Sequence, residues 1–112
     1  MSIEISCVMT TVPSLDEART LARGAVDAGL AACAQVGSPL TSFYYWEGNL
    51  EEAQEWPILF KCSHDMREEL ETFIANHHSY TIPEIVSWPL AAFDAYGGWV
   101  VNATQFFTRS QS

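Results

Sequence analysis

One segment of the chain has a pattern that sets its architecture: LTSFYYWEGNLEEAQEWPILFK, at residues 40–61. Its first part is rich in aromatic residues, which favour strands, and Gly48-Asn49 is a pair that tolerates positive φ in a tight turn. The segment therefore predicts one long β-hairpin. At about 3.3 Å per residue, an arm of about ten residues spans about 30 Å, which is more than the helices of a small domain cover. We expect a second copy of the chain to pack on the excess.

The segments around the hairpin predict a β-α-β-β-α-β order followed by a C-terminal helix. Apolar runs predict strands at 3–11, 30–36 and 85–90, and helical spacing predicts helices at 15–29, 66–77 and 93–107. Ser14 followed by Glu17 matches a capping box, and residues 37–39 predict a bend before the hairpin. The stripe predicted along the last helix contains Phe93, Tyr96, Trp99, Val100, Ala103 and Phe107.

This order is the split βαβ arrangement of ferredoxin-like folds, in the α+β class. Such a fold has an antiparallel sheet with two helices on one face. The other face must also be covered, and the C-terminal helix together with partner subunits can do this.

Length and composition predict one globular domain over residues 1–112. The chain is 48% hydrophobic and 17% charged, and no apolar run approaches the eighteen residues of a membrane span. Three cysteines at irregular spacing, with no signal-peptide pattern at the N-terminus, favour reduced thiols and a cytoplasmic location. The net charge of −9 repels nucleic acids and anionic membranes and permits the attraction of cations.

Four short motifs resemble those of the CutA family of divalent-cation tolerance proteins. Each is weak alone, but their order and spacing together are specific. They are Leu30-Ala31-Ala32-Cys33, Tyr45-Trp46-Glu47-Gly48, Ile58-Leu59-Phe60-Lys61 and Ile82-Pro83-Glu84-Ile85. The resemblance implies a trimer of ferredoxin-like subunits whose long hairpins pair across subunits, and a role in divalent-cation tolerance with copper as a bound ion. The architecture is also similar to that of trimeric PII-type signalling proteins, by fold analogy alone.

The chain departs from the family pattern at several positions. Ser79 stands where the family usually has proline between the histidine and Tyr80, so the connector before the last strand is less rigid. Asn49 replaces a lysine that is common in the hairpin turn. Thr10 occupies the position at which some bacterial members have a cysteine associated with copper binding, which leaves the cysteine ligand in doubt here.

His77 and His78 are the best candidates for metal ligands, since neutral imidazole suits Cu²⁺ and Zn²⁺. Adjacent residues at a helix end point in different directions, so a closed site would need further ligands from elsewhere or from another subunit. The alternative is structural: His77 caps the helix C-terminus and His78 packs under Tyr80.

The resemblance also implies that a set of polar and aromatic residues clusters in a cleft between subunits. The set contains Trp46, Glu47, Lys61, Tyr80 and Glu84. One interpretation is a pocket for a small ligand or ion, with aromatic walls and a few fixed polar groups. The other is that Lys61 and Glu84 form an ion pair between subunits and the aromatic residues belong to the interface core.

Catalysis has the least support, because the chain has no glycine-rich phosphate loop and no nucleophile-elbow or metalloprotease motif. Among the cysteines, Cys7 and Cys33 are predicted to be buried, and Cys62, beside Lys61 and before a helix, is the one whose thiolate could be favoured. The sequence therefore predicts a non-enzymatic divalent-cation tolerance protein that binds copper or a similar ion. The alternative is a trimeric PII-like module that binds a small molecule or a protein in the cleft between subunits.

Overall fold

A computed structural model describes residues 1–104, which form one antiparallel sheet and three helices, the mixed architecture that was expected. The strands are β1 (Ser2–Val12), β2 (Cys33–Val36), β3 (Leu40–Trp46), β4 (Asn49–Cys62) and β5 (Ile85–Phe93). The helices are α1 (Leu15–Asp27), α2 (Arg67–His77) and α3 (Asp94–Ala103), and a short 3₁₀ turn at His64–Met66 precedes α2.

The fourteen-residue strand β4 lies at the centre of the sheet, whose order is β2-β4-β1-β5, and β3 also pairs with β4. Only residues 49–55 of β4 pair with β3, while residues 56–62 pair with β1 and residues 58–61 also pair with β2. The hairpin is thus shorter than predicted. Pro57 has no N–H to donate to a ladder, and Gly37 N–H donates to the Pro57 carbonyl at 2.9 Å in the bend between β2 and β3.

The hairpin turn lies one residue earlier than the predicted Gly48-Asn49 pair. Trp46 and Asn49 face each other as the last strand pair, so the two loop residues are Glu47 and Gly48. Both have positive φ, 51° and 82°, as a two-residue type I′ turn requires. Asn49 instead begins β4.

The main core lies between α1, α2 and one face of the sheet. Val8, Ile58 and Phe60 are fully buried there, and so are Leu70 and Ile74 of α2. The predicted helix periodicity is confirmed in both helices. The predicted cap of α1 is confirmed as well, because the Ser14 hydroxyl accepts the Glu17 N–H at 3.1 Å.

The other face of the sheet is covered at one end by α3, and only part of the predicted stripe takes part: Val100 is buried and Ala103 is partly buried. Gly97 and Val100 are the buried residues of this helix. A Cβ atom at Gly97 would lie 2.8 Å from Cβ of Ile3, so the helix can approach the sheet closely because this position has no side chain. Phe93, Tyr96 and Trp99 remain exposed as a result, and Phe107 lies outside the described residues.

The far end of the hairpin extends beyond both helical layers. Phe43 is 65% exposed and Tyr45 is 74% exposed, and Leu50 on the facing strand is 64% exposed. Residues 1–104 leave these side chains largely uncovered. No helix within residues 1–104 combines the length and apolar character needed to cross a membrane.

Candidate functional site

A cleft of about 710 Å³ lies between β3, the end of β1 and the connector that precedes β5. We call it the hairpin cleft. Its lining consists of Thr11, Ser42, Phe43, Tyr44, Trp46, Glu55, Ser79, Tyr80, Thr81, Ile82 and Glu84. The site combines aromatic walls with hydroxyl groups and two carboxylates, which is the composition expected of a binding site for a small ligand.

The deepest polar contact in the hairpin cleft joins Tyr80 and Glu55. The Tyr80 hydroxyl donates to Oε2 of Glu55 at 2.8 Å, and Glu55 is only 5% exposed. The pKa of Tyr80 is raised above its usual value, mainly by burial and secondly by this hydrogen bond. Tyr80 therefore stays protonated at neutral pH and serves as a fixed donor to the carboxylate.

The connector that forms one wall is held by His78, whose side chain is fully buried. Its Nε2 lies 2.9 Å from the Thr11 carbonyl, and its Nδ1 lies 3.1 Å from the Tyr80 N–H. The two contacts fit a neutral imidazole that donates from Nε2 and accepts at Nδ1. His78 thereby fixes the backbone next to Tyr80, and the two rings pack with centroids 5.0 Å apart.

The backbone of the connector is fixed at two further points. The Thr10 hydroxyl donates to the Glu84 carbonyl at 2.7 Å, and Ser79 N–H donates to a Glu17 carboxylate oxygen at 3.1 Å. These bonds join the connector to β1 and to α1. The wall is thus anchored although it contains Ser79 in place of the more rigid proline.

His77 is exposed at the end of α2 and differs from its neighbour. Its Nδ1 lies 2.8 Å from the Phe73 carbonyl, and its ring stacks on that of Phe73 with centroids 4.2 Å apart. This contact returns to a carbonyl four residues earlier, which also accepts the backbone N–H of His77 within α2, so it orients the ring but does not cap a free carbonyl at the helix end. It also directs the N–H to Nδ1, which leaves Nε2 as the nitrogen able to bind a metal.

The two histidines do not form a two-ligand site within one chain. Both nitrogens of His78 are in hydrogen bonds, so a metal at this ring would have to displace one of them. Within residues 1–104, no group of three or more His, Cys, Asp or Glu side chains could hold a metal ion. One chain therefore supplies at most part of a coordination sphere.

Three of the five residues expected to cluster do so. Trp46, Tyr80 and Glu84 line the hairpin cleft. Glu47 lies in the hairpin turn, while Lys61 donates to Oε1 of Gln35 at 2.6 Å. Lys61 and the lining residue Glu55 are six positions apart on β4, which corresponds to about 20 Å in a strand.

Sequence reasoning did not identify Glu55, which is the central polar group of the site. The polar residues of the second hairpin arm predict a solvated strand, and Glu51 and Glu52 do face water at least in part. A signal was nevertheless present. Glu55 stands directly before Trp56-Pro57, where β4 enters the core, so the end of the polar run was the position to consider for a buried carboxylate.

The cysteines have different surroundings from those expected of a reactive thiol. Cys62 is fully buried, and burial raises its pKa to about 12, so the expectation of a favoured thiolate is wrong. Cys7 is also buried, as expected, and burial raises its pKa. Cys33 is partly exposed, and its sulfur lies 3.5 Å from the Tyr96 hydroxyl.

Comparison with known proteins identifies the family. The family described as CutA1 divalent ion tolerance protein matches residues 6–103. The chain belongs to the CutA1 family. A divalent-cation tolerance protein CutA from Thermus thermophilus is 42% identical over 84 residues, which is 75% of this chain and 82% of that protein.

Solved CutA structures have the same fold. The structure of CutA from Synechococcus elongatus has a TM-score of 0.87 and 31% identity, covering 94% of this chain and 95% of that one. The CutA structure from Archaeoglobus fulgidus has a TM-score of 0.85 and 29% identity, covering 92% of this chain and all of that one, and it is named as periplasmic. The resemblance found in the four motifs thus extends to the whole described fold.

Proposed function

We propose that this CutA1-family protein acts in divalent-cation tolerance by binding copper or a similar divalent ion. Family membership over residues 6–103 is the observation that carries the proposal. The net charge of −9 supports it, because an acidic protein attracts cations. The role is binding and not catalysis.

His77 is the ligand that each chain offers to the ion. A metal-binding histidine usually donates its other N–H to a carbonyl or a carboxylate, which fixes the ring, and the Nδ1 contact with the Phe73 carbonyl fits this pattern. His78 was predicted as the second ligand. Its two hydrogen bonds favour a supporting role in the connector, so the remaining ligands would come from other copies of the chain.

The assembly that we propose is a cytoplasmic homotrimer of single-domain, ferredoxin-like subunits. The exposed aromatic residues of the hairpin support it, because Phe43 and Tyr45 stay exposed within residues 1–104 and a neighbouring subunit would cover them. The acidic charge disfavours nucleic acids and anionic membranes as partners. Sedimentation velocity at several concentrations tests the trimer.

Calorimetric titration with Cu²⁺ in the presence of glycine, a competing chelator, tests the metal proposal. The wild-type protein should bind saturably, and His77→Gln should lose at least about tenfold in affinity. His64→Gln is the matched control, because it removes another exposed imidazole whose Nδ1 is also engaged, but at the opposite end of α2. We expect it to bind as the wild type does.

The stoichiometry adds information, since fewer than one ion per chain would show that subunits share the ion. Equal binding by wild type and His77→Gln would refute the proposed ligand. Wild-type binding too weak to compete with glycine would refute metal binding as the function.

A second candidate function is ligand binding in the hairpin cleft, as in a trimeric PII-like module. The buried Tyr80–Glu55 pair favours it, because a fixed polar group at the base of a cleft with aromatic walls is typical of ligand sites. Tyr80→Phe separates the two candidates. This change should leave Cu²⁺ binding intact if His77 carries it, and it should weaken binding of a cleft ligand.

A further inference from the structure

We propose that the hairpin cleft binds a small organic cation, namely a primary ammonium group carried on an apolar body. This inference rests on the second candidate function, ligand binding in the cleft, and it specifies the chemical class of the ligand. Four observations support it. They are the sign of the charge that lines the cleft, the burial of Glu55 without an ion pair, the position of the aromatic residues and the size of the space.

The charged side chains that residues 1–104 bring to the hairpin cleft are all negative. Among these residues, Glu55 and Glu84 are the only ionisable groups of the lining besides tyrosines, and no lysine, arginine or histidine of this range lines it. The lysine that was expected in the cleft is bound to Gln35 elsewhere on the sheet. A cleft bordered by carboxylates concentrates cations and repels anions, and its low-dielectric walls increase the effect.

Glu55 is the carboxylate of the cleft that is best placed to receive a cation. It is 5% exposed, and it forms no ion pair with any lysine, arginine or histidine within residues 1–104. The Tyr80 hydroxyl engages only one of its two oxygens. No buried side-chain nitrogen or oxygen within residues 1–104 lacks a hydrogen-bond partner, so the second oxygen is accessible to solvent. An ammonium group that enters the cleft can therefore donate to it.

The aromatic residues lie where they can cover such a cation. Ser42, Tyr44 and Trp46 alternate along β3, so they share one face of the hairpin. Leu40 pairs with Glu55 and belongs to the same alternation, which places Tyr44 and Trp46 on the face that carries the carboxylate. Tryptophan and tyrosine rings attract cations through their π faces, and the same rings bury the apolar part of an amine.

The size and the donor set favour an organic cation over a bare metal ion. A space of about 710 Å³ is within the range of sites for small organic molecules. Hard divalent ions require several oxygen ligands at short distance, and no group of three carboxylate, histidine or cysteine side chains within residues 1–104 meets this need. An ammonium group needs only hydrogen-bond acceptors and an aromatic wall.

The test compares three probes of the same shape by calorimetric titration of the full chain: phenethylammonium, 2-phenylethanol and phenylacetate. We expect the ammonium compound to bind at least about tenfold more tightly than the neutral alcohol, and the carboxylate to bind most weakly. Glu55→Gln keeps the shape and an acceptor for Tyr80, and it should reduce ammonium binding at least about tenfold.

Glu52→Gln is the matched control. It removes the same charge from the same strand, but Glu52 is exposed and does not line the cleft, so ammonium binding should stay within about twofold of wild type. If Glu55→Gln does not fold, Glu84→Gln takes its place, because Glu84 is exposed and its side chain has no part in the core.

Each remaining outcome counts against the proposal in a distinct way. Equal binding of the ammonium compound and the alcohol, or full binding by Glu55→Gln, overturns the cationic class. If the alcohol or phenylacetate binds best and binding is lost in Trp46→Ala, the cleft remains a ligand site and only the class is wrong. If none of the three probes binds the wild-type protein, both the class and the cleft candidate fail, as they would if another copy of the chain filled the cleft.

Discussion

The two halves of strand β4 have opposite surroundings. In residues 56–62, Ile58, Phe60 and Cys62 are fully buried beneath α1 and α2. In residues 49–55, only Glu55 is buried, and the facing strand β3 leaves its aromatic side chains in contact with water. The same extended strand therefore passes from the core into a region that residues 1–104 leave exposed.

The difference shows that apolar content does not by itself determine where a core forms. β3 contains four consecutive aromatic residues at 43–46, a denser run than any in the buried half. Its side chains stay largely exposed within residues 1–104. Burial requires a second layer, and the described residues do not supply one over β3.

The largest effect is expected in the buried half, and truncating one phenylalanine in each region reveals it. Phe60→Ala removes a fully buried ring from the main core and should lower the free energy of unfolding by about 3–5 kcal/mol. Phe43→Ala removes a ring that is 65% exposed, and in a dilute, dissociated chain it should change stability by less than about 0.5 kcal/mol. Urea denaturation of both variants gives the comparison.

Measuring the loss of stability of both variants at several protein concentrations tests whether copies of the chain cover the hairpin. If copies of the chain cover the hairpin, Phe43→Ala should become destabilising as concentration rises, because association stabilises the folded state by mass action. Phe60→Ala should show a similar loss at every concentration. Equal losses for the two variants in dilute solution would contradict the distinction between the two regions.

The next effect concerns the second face of the covered half, where α3 approaches the sheet. A Cβ atom at Gly97 would meet Ile3 at 2.8 Å, whereas one at Gly98 would meet nothing within 4 Å. Gly97→Ala should therefore destabilise by about 1–3 kcal/mol through overpacking. Gly98→Ala should stabilise by about 0.5–1 kcal/mol, because alanine is the better helix former.

Thermal unfolding of the two glycine variants separates packing from helix propensity, since both changes have the same effect on propensity. If Gly97→Ala raised the unfolding temperature, α3 would have to pack less closely against the sheet at Ile3 than described. The claim that the buried half of the sheet is covered on both faces would then be wrong.

The parts of the fold that follow local rules could be predicted from the sequence. The Ser14 hydroxyl caps the N-terminus of α1. Gly29, just after the end of α1, has a positive φ of 76°. Both depend on neighbouring residues only. The bend at Gly37 also follows from local chemistry, since proline and glycine restrict or permit backbone angles whatever surrounds them.

The predictions were wrong where contacts between residues far apart in sequence determine which side chains are buried. The large side chains of α3 predicted its buried stripe, but the close approach at Gly97 depends on Ile3 at the other end of the chain. In the same way, Glu55 is polar in sequence and buried in the fold because Tyr80, 25 positions away, supplies a donor. The family resemblance singled out Tyr80 and Trp46, which both line the hairpin cleft, but it did not point to Glu55, the carboxylate beside Tyr80.

The smallest effect that we predict tests whether the hairpin has a stability of its own. Glu47 has a φ of 51° in the turn, a backbone conformation that is costly for most residues and tolerated by asparagine. Glu47→Asn should therefore stabilise the hairpin by less than about 1 kcal/mol and slow hydrogen exchange of its amides about threefold to fivefold. Glu51→Asn, at a strand position, should give no such protection, because asparagine is unfavourable in strands.

The positions of the amides whose exchange is slowed show whether the hairpin and the core unfold separately. Amides beside Phe60 exchange when the whole domain unfolds, whereas hairpin amides exchange through local opening if the two regions are energetically separate. Protection that Glu47→Asn confers on residues 40–55 alone would establish the hairpin as a local unit, which a partner can stabilise without changing the core. Equal protection across the whole of β4 would instead show that its two halves unfold as one, despite their different surroundings.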